Sequence, residues 1–360
     1  MTAPVRRLTA EREIVICCGS GGVGKTTAAA VLALEGARAG RRACVVTIDP
    51  AKRLADALGL DRLSNTPSKI EGEWPGELWA MMLDTKSTFD NLVAKYSGNE
   101  EQAAGILANR FYRNISGALS GTQEYMAMEK LFELHDSGKF DLIVVDTPPT
   151  RNALDFLDAP RRLTRFLDNR VFRILMMPTR AYLKAVSVAT QAFLRTISRV
   201  VGTEVVQDAV AFFQAFEGME EGFRNRAQKV LELLSSPETA FVLVASPRRD
   251  AITEAMFFAA RLRESHIPIE TLIVNRMHPR FGDGNAEADR ARARTLTGTE
   301  LGALYDNLAE FRSLADGEEA HVVELIERVA PAPVVRVPFL ADDVHDLDGL
   351  AEVAGYVVAG

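Results

Sequence analysis

The run Ile14-Val15-Ile16-Cys17-Cys18-Gly19-Ser20-Gly21-Gly22-Val23-Gly24-Lys25-Thr26 decides the fold of this chain. Its first five residues are continuously apolar and read as a buried strand. The run from Lys25 to Ala39 reads as a helix, so the glycines fill a strand-to-helix turn. Gly19-x4-Gly24-Lys25-Thr26 has P-loop spacing, and a strand before it with a helix after it is the context that gives such a match weight. Glycine is needed because the loop must curl with its N–H groups inward, where side chains would keep phosphate away. Lys25 can then reach the β- and γ-phosphates of a nucleoside triphosphate. Thr26 can offer its hydroxyl to Mg²⁺, and the helix N-terminus adds the positive end of its dipole.

Outward from this loop, further apolar runs occur at Ala43–Ile48, Leu78–Leu83, Leu142–Asp146, Phe241–Ala245, Thr271–Asn275 and Val334–Pro338. They are nearly continuous rather than alternating, as in a parallel sheet covered on both faces. Helical patterns at Gln123–Leu134 and Asp250–Glu264 separate them, which predicts a doubly wound, mostly parallel α/β sheet with its ligand at the carboxyl ends of the strands. One P-loop and no internal repeat imply a single domain over 1–360. Two helix-rich stretches, about 85–120 and 160–234, interrupt the rhythm and read as an inserted helical subdomain. The second is rich in large apolar residues, among them Leu175, Met176 and Met177. Such a stripe fits either plain core or an adaptable groove for an apolar protein client. Gly282 to Glu319 reads as a mobile helical excursion.

A net charge of -7 argues against duplex nucleic acid and anionic membrane as partners, since both reward clustered Lys and Arg. Arg6-Arg7 has the form of a twin-arginine signal, but the apolar run after it is too short for a signal core, and no stretch is long enough to span a bilayer. Cys17, Cys18 and Cys44 lie in strand-like runs without a CxxC pair, and read as reduced core residues of a cytoplasmic protein. His135, His266, His278, His321 and His345 have no metal-ligand spacing. The only metal expected is the Mg²⁺ that accompanies nucleotide.

Two acids complete the expected site. Leu142-Ile143-Val144-Val145-Asp146 has the form of a Walker B strand, whose carboxylate belongs near Mg²⁺, through a water. Asp49 ends the strand before Pro50. It is placed either to position an attacking water or to cap a helix starting near Pro50. Guanine sites usually carry Asn-Lys-x-Asp after a strand. Here the run is Val274-Asn275-Arg276-Met277, which favours adenine.

With these residues the chain resembles the arsenite-pump ATPase family of anion-transporting ATPases, which also contains the ATPase that targets tail-anchored membrane proteins. Four stretches carry the likeness: Gly19–Thr27 as a deviant P-loop, Asp49-Pro50-Ala51-Lys52 as switch I, Asp146-Thr147-Pro148-Pro149-Thr150 as switch II, and Val337-Pro338-Phe339-Leu340 as an adenine-contacting loop. The resemblance implies nucleotide contacts from Gly19, Ser20, Gly21, Gly22, Val23, Gly24, Lys25, Thr26, Thr27, Asn275, Pro338 and Phe339. It also implies a catalytic role for Asp49 and two nucleotide domains facing each other, hence a homodimer or heterodimer of chains. Three departures stand out. Ser20 replaces the family's signature lysine, which reaches the partner's phosphates. The paired cysteines for zinc or arsenite are absent, so no zinc is expected. Switch II carries Arg151-Asn152 where Gly-His is common. The expected function is a cytoplasmic, dimeric, Mg²⁺-dependent ATPase acting as a nucleotide-driven switch on a protein client. A heterodimer would pair it with a lysine-containing paralogue. Its rivals are an ATP-binding regulatory or assembly subunit with little hydrolysis of its own, and a partitioning-type ATPase. The last usually needs a basic tail, which Leu350–Gly360 lacks.

Overall fold

The computed structural model describes residues 4–49, 51–110, 112, 122–148, 153–168, 202–216 and 218–359. By its internal contacts the chain divides into two compact units, one made of Met1–Met82, Ser137–Leu154 and Pro237–Gly360, the other of Leu83–Asp136 and Asp155–Ser236.

The first unit holds an eight-stranded sheet. Its strands are β1 (Ile14–Cys18), β2 (Arg42–Thr47), β3 (Ser68–Ile70), β4 (Glu77–Met82), β5 (Leu142–Asp146), β6 (Thr239–Ala245), β7 (Ile269–Met277) and β8 (Val334–Pro338), in the order β3-β4-β2-β5-β1-β6-β7-β8. All pair in parallel except β3, which runs antiparallel to β4 at the edge. The seven parallel strands are those the apolar runs predict. β3 is not, because Ser68 and Lys69 are exposed and Ile70 alone is buried, so three residues give no pattern to read. Every residue of β1, β5 and β6 is buried, which is why these strands lack polar alternation.

Order decides where a ligand can bind. β1 lies between β5 and β6, with β2 and β4 beyond β5 and with β7 and β8 beyond β6. The connection from β1 runs to β2 on one side, and the connection from β5 runs to β6 on the other, a reversal that opens a crevice at the strands' carboxyl ends. Parallel register sets Cys17 and Thr47 on either side of Asp146 there. Helices α1 (Pro4–Glu11) and α2 (Lys25–Arg38) belong to the same unit, and α2 is buried along almost its whole length by small residues. At Gly36 a Cβ would stand 2.4 Å from the Leu142 Cδ2 of β5, so the helix approaches the sheet closely. Helix α3 (Arg53–Ala57) begins after Lys52, not near Pro50 as the sequence suggests.

The second unit is helical: α4 (Thr85–Tyr96), α5 (Glu100–Ala108), α6 (Thr122–Asp136), α7 (Ala153–Asp168, which starts in the first unit), α8 (Thr203–Ala215) and α9 (Glu220–Leu234). It has its own core. Phe89, Tyr112, Phe212 and Phe216 form a ring-on-ring cluster, and Arg226 makes a 2.6 Å ion pair with Glu129 while lying 3.8 Å over the Phe132 ring. Leu175, Met176 and Met177 lie outside the described residues, as does Arg151-Asn152.

Back in the first unit, α10 (Arg249–Glu264) is followed by α11 (Ala286–Thr295) and the 30-residue α12 (Glu300–Val329), with α13 (Leu347–Ala359) closing the chain. The segment expected to be a mobile helical excursion is helical, with two helices packed on each other. Arg312 joins them by pairing with Asp289, and it also donates to the Phe281 carbonyl. The pairing that organises that stretch joins residues distant in sequence. Among the described residues, no helix is long and apolar enough to cross a membrane.

Candidate nucleotide site

Backbone geometry builds the phosphate loop between β1 and α2. Gly19 has φ 149°, and a Cβ there would stand 2.0 Å from the Val244 carbonyl oxygen of β6. Gly24, the N-cap of α2, has φ 90°, and a Cβ there would stand 2.1 Å from Asn275 Nδ2. Neither position accepts a side chain. Because Gly24 caps the helix without a side-chain bond, the first N–H groups of α2 are left for an anion.

Below the loop the polar groups converge on one carboxylate. Asp146 Oδ2 accepts from Thr26 Oγ1 at 2.8 Å and from Thr47 Oγ1 at 2.9 Å. Its Oδ1 is buried and has no hydrogen-bond partner among the described residues. Burial pushes the Asp146 carboxyl above the usual range, against the pull of the two threonine hydroxyls and of Lys25. Lys25 is itself buried, and loss of solvent holds its ammonium below the ordinary lysine value despite Asp146. Its Nζ donates to the Ser20 carbonyl at 2.7 Å. A buried hydroxyl, a buried carboxylate with a spare oxygen and a nearby ammonium make a set that suits a hard divalent cation beside phosphate.

Asp49 sits one strand over. Its Oδ1 accepts from Ala51 N at 3.0 Å, its Oδ2 pairs with Arg53 Nη1 at 3.3 Å, and its own N–H donates to Thr47 Oγ1 at 3.2 Å. It therefore makes a local turn rather than capping a helix at Pro50, since Lys52 occupies the N-cap of α3. Thr47 links the two acids, donating to one and accepting from the backbone of the other. Sequence reading passed it over, although its position two residues before Asp49 puts both on one side of the strand.

A cavity of about 590 Å³ opens at this end of the sheet. Gly22, Gly24, Lys25, Thr26, Thr27, Asp49 and Asp146 line it on the phosphate-loop side, and Asn275, Pro338 and Phe339 line it from β7 and β8. Gly19 and Val23 are in the loop but do not line it. Ser20 and Gly21 instead line a smaller cavity of about 360 Å³ with Gly22 and the start of α10. Ser20 is 4% exposed, and its Oγ is buried without a hydrogen-bond partner among the described residues. Asn275 Nδ2 donates to the Val23 carbonyl at 2.9 Å. Phe339 is 53% exposed and lies parallel to the His278 ring at 5.4 Å, a flat apolar surface suited to a base. The sequence pattern does not show that pair, because the two rings sit just past the ends of β7 and β8. Cys17, Cys18 and Cys44 are buried and free.

A family model described as anion-transporting ATPase matches residues 12–358. This chain belongs to the anion-transporting ATPase family. The resemblance read from the four stretches is thereby borne out across nearly the whole sequence. Among its relatives, the chain is 28% identical over 287 residues to "ATPase GET3B" of Arabidopsis thaliana, covering 75% of this chain and 65% of that protein. It is 32% identical over 153 residues to "ATPase GET3" of Malassezia globosa, covering 42% and 44%. To the "Putative arsenical pump-driving ATPase 1" of Aquifex aeolicus it is 22% identical over 365 residues, covering 95% and 77%. The chain thus spans less than two thirds of the plant and fungal proteins it matches.

Proposed function

We propose that this anion-transporting-ATPase family member is a Mg²⁺-dependent ATPase whose single P-loop domain, over 1–360, works as a dimeric nucleotide-driven switch. The observation that carries the reading is Asp146, with one carboxylate oxygen held by Thr26 and Thr47 and the other buried and unpartnered beside Lys25. Among the described residues, nothing uses that oxygen. Thr26, with Asp146 behind a water, would hold Mg²⁺, which when bound supplies positive charge to the β- and γ-phosphates. Lys25 trades its Ser20 carbonyl for phosphate, an exchange favoured because its charge is then balanced in a buried place. Asp49 orients the attacking water, and its link through Thr47 to Asp146 ties that water's position to the metal's carboxylate. The lack of a purine-reading Asp after Asn275 supports adenine, with Asn275, Pro338 and Phe339 as its contacts.

The helical subdomain, about 85–120 and 160–234, is the part proposed to engage a protein client. The Aquifex aeolicus relative's name, a putative arsenical pump-driving ATPase, does not set this chain's cargo, since this chain has no cysteine pair spaced for arsenite. Calorimetry and turnover on the purified protein test the core of the reading. Wild type should bind Mg·ATP, Lys25→Ala should lose tight binding, and Asp49→Asn should bind while turnover falls by about 100-fold or more, roughly 3 kcal/mol of barrier. Turnover within about twofold in Asp49→Asn would leave Asp49 a turn residue only.

One observation favours a second reading. Ser20 puts a buried, uncharged hydroxyl where the family's resemblance places a lysine. An ATP-binding regulatory or assembly subunit with little hydrolysis of its own fits that feature, and the same turnover assay separates the two.

A further inference from the structure

β7 changes register against β8 between Val274 and Met277, and the two residues inside the irregularity are Asn275 and Arg276. Arg276 has φ 63°, a left-handed conformation that costs a side-chain-bearing residue free energy. Such a bulge re-aims side chains, and bulges concentrate beside active sites. Here it aims two at the phosphate loop. Asn275 Nδ2 donates to the Val23 carbonyl at 2.9 Å, while Asn275 Oδ1 accepts from Arg276 N at 2.9 Å. Arg276 Nη1 donates to the Gly22 carbonyl at 3.2 Å.

Resting on the reading of this cavity as an ATP site, we propose that Arg276 is a positioning residue for the phosphate loop. In a trans peptide the carbonyl and the following N–H point in opposite directions. Holding the Gly22 and Val23 carbonyls toward β7 therefore turns the N–H groups of Val23 and Gly24 away from it. Among the described residues those two N–H groups have no acceptor. They form the kind of donor-lined concavity that phosphate fills. A guanidinium suits this clamp because it stays charged, and a charged donor holds a carbonyl more strongly than a neutral one. The strained backbone at Arg276 is the geometry that brings it within reach of the loop. Arg276 acts on phosphate through the loop, so it recognises the triphosphate part of the nucleotide and not the base.

Arg276→Gly tests this, since glycine keeps the left-handed backbone without strain and deletes only the side chain. The variant should bind ATP and ADP about 3- to 10-fold more weakly, with adenosine binding changed by less than about twofold, in competition calorimetry. Arg276→Lys should recover part of the loss. In the nucleotide-free protein, the Val23 and Gly24 amide signals in NMR should shift and broaden in Arg276→Gly. If wild type binds no ATP, the nucleotide reading itself fails. Wild-type ATP binding with an unaffected Arg276→Gly overturns the role of Arg276 alone. Equal losses for ATP and adenosine overturn it too, as general damage. A selective ATP loss with unaltered loop amides would mean that Arg276 meets phosphate directly, which also overturns the clamp.

Discussion

At the scale of single residues, Asp146 carries the clearest physical signature. Its carboxyl lies above the usual aspartate range because burial outweighs the two threonine hydroxyls. In the pH window between the ordinary aspartate value and the raised one, the folded chain keeps a proton that the unfolded chain has released. Stability of the nucleotide-free protein therefore falls as pH rises through that window. Asp146→Asn should remove this slope and leave the variant more stable than wild type at neutral pH, while Mg·ATP stabilises wild type and not the variant. Urea unfolding across the pH range, with and without Mg·ATP, measures both effects. An unchanged slope in the variant would show that Asp146 is not the group responsible. Lys25, Thr26, Asp49 and Asp146 can be placed at this end of the sheet from sequence, because they open α2, follow β2 or end β5, elements whose apolar runs are unmistakable. Thr47, Arg276 and the His278–Phe339 pair were not. Their roles depend on which strands become neighbours, and one strand's sequence does not state its neighbour.

At the scale of elements, legibility followed burial. β1, β5 and β6, buried at every residue, read directly, as do the largely apolar runs of the other parallel strands, whereas β3 packs through Ile70 and leaves no pattern. The helical character of α11 and α12 is legible in sequence, but the Arg312–Asp289 pair that joins them across 23 residues is not. In the helical unit the corresponding pair is Arg226–Glu129, with side chains 7% and 3% exposed. Removing one member of a buried ion pair leaves a charge without compensation and typically costs about 3–5 kcal/mol. Arg226→Met should destabilise the helical unit by that order, with Arg226→Met/Glu129→Leu recovering most of it. Denaturant unfolding gives the energies, and hydrogen exchange should locate the single variant's loss in α6 and α9 while β1 and β5 stay protected. Loss of protection in the sheet to the same degree would mean that the two units unfold as one.

At the scale of the whole molecule, Ser20 bears on whether one chain is enough. A serine side chain is short and uncharged, and this one is buried, its hydroxyl unpartnered among the described residues. It has no means of neutralising phosphate across a dimer interface, as the signature lysine does in the family this chain resembles. A cation delivered in trans to a phosphoryl-transfer site is worth roughly 10³ to 10⁵ in rate, about 4 to 7 kcal/mol. The isolated chain should therefore bind Mg·ATP through Lys25 yet turn it over slowly. Two basic residues of the switches, Lys52 and Arg151, are the substitutes within the chain to be tested. Lys52 is the exposed N-cap of α3, while Arg151 lies outside the described residues. If neither substitutes, the missing charge has to come from a paralogous subunit that keeps the lysine, which makes a heterodimer with one activated half. The test is asymmetric by design. Adding such a paralogue should raise turnover at the site containing Lys25, measured with the paralogue's own P-loop lysine disabled so that only this chain hydrolyses. Replacing the paralogue's signature lysine should then remove the gain without preventing assembly, followed by light scattering. Fast hydrolysis by the isolated chain, indifferent to changes at Lys52 and Arg151, would overturn this account of Ser20.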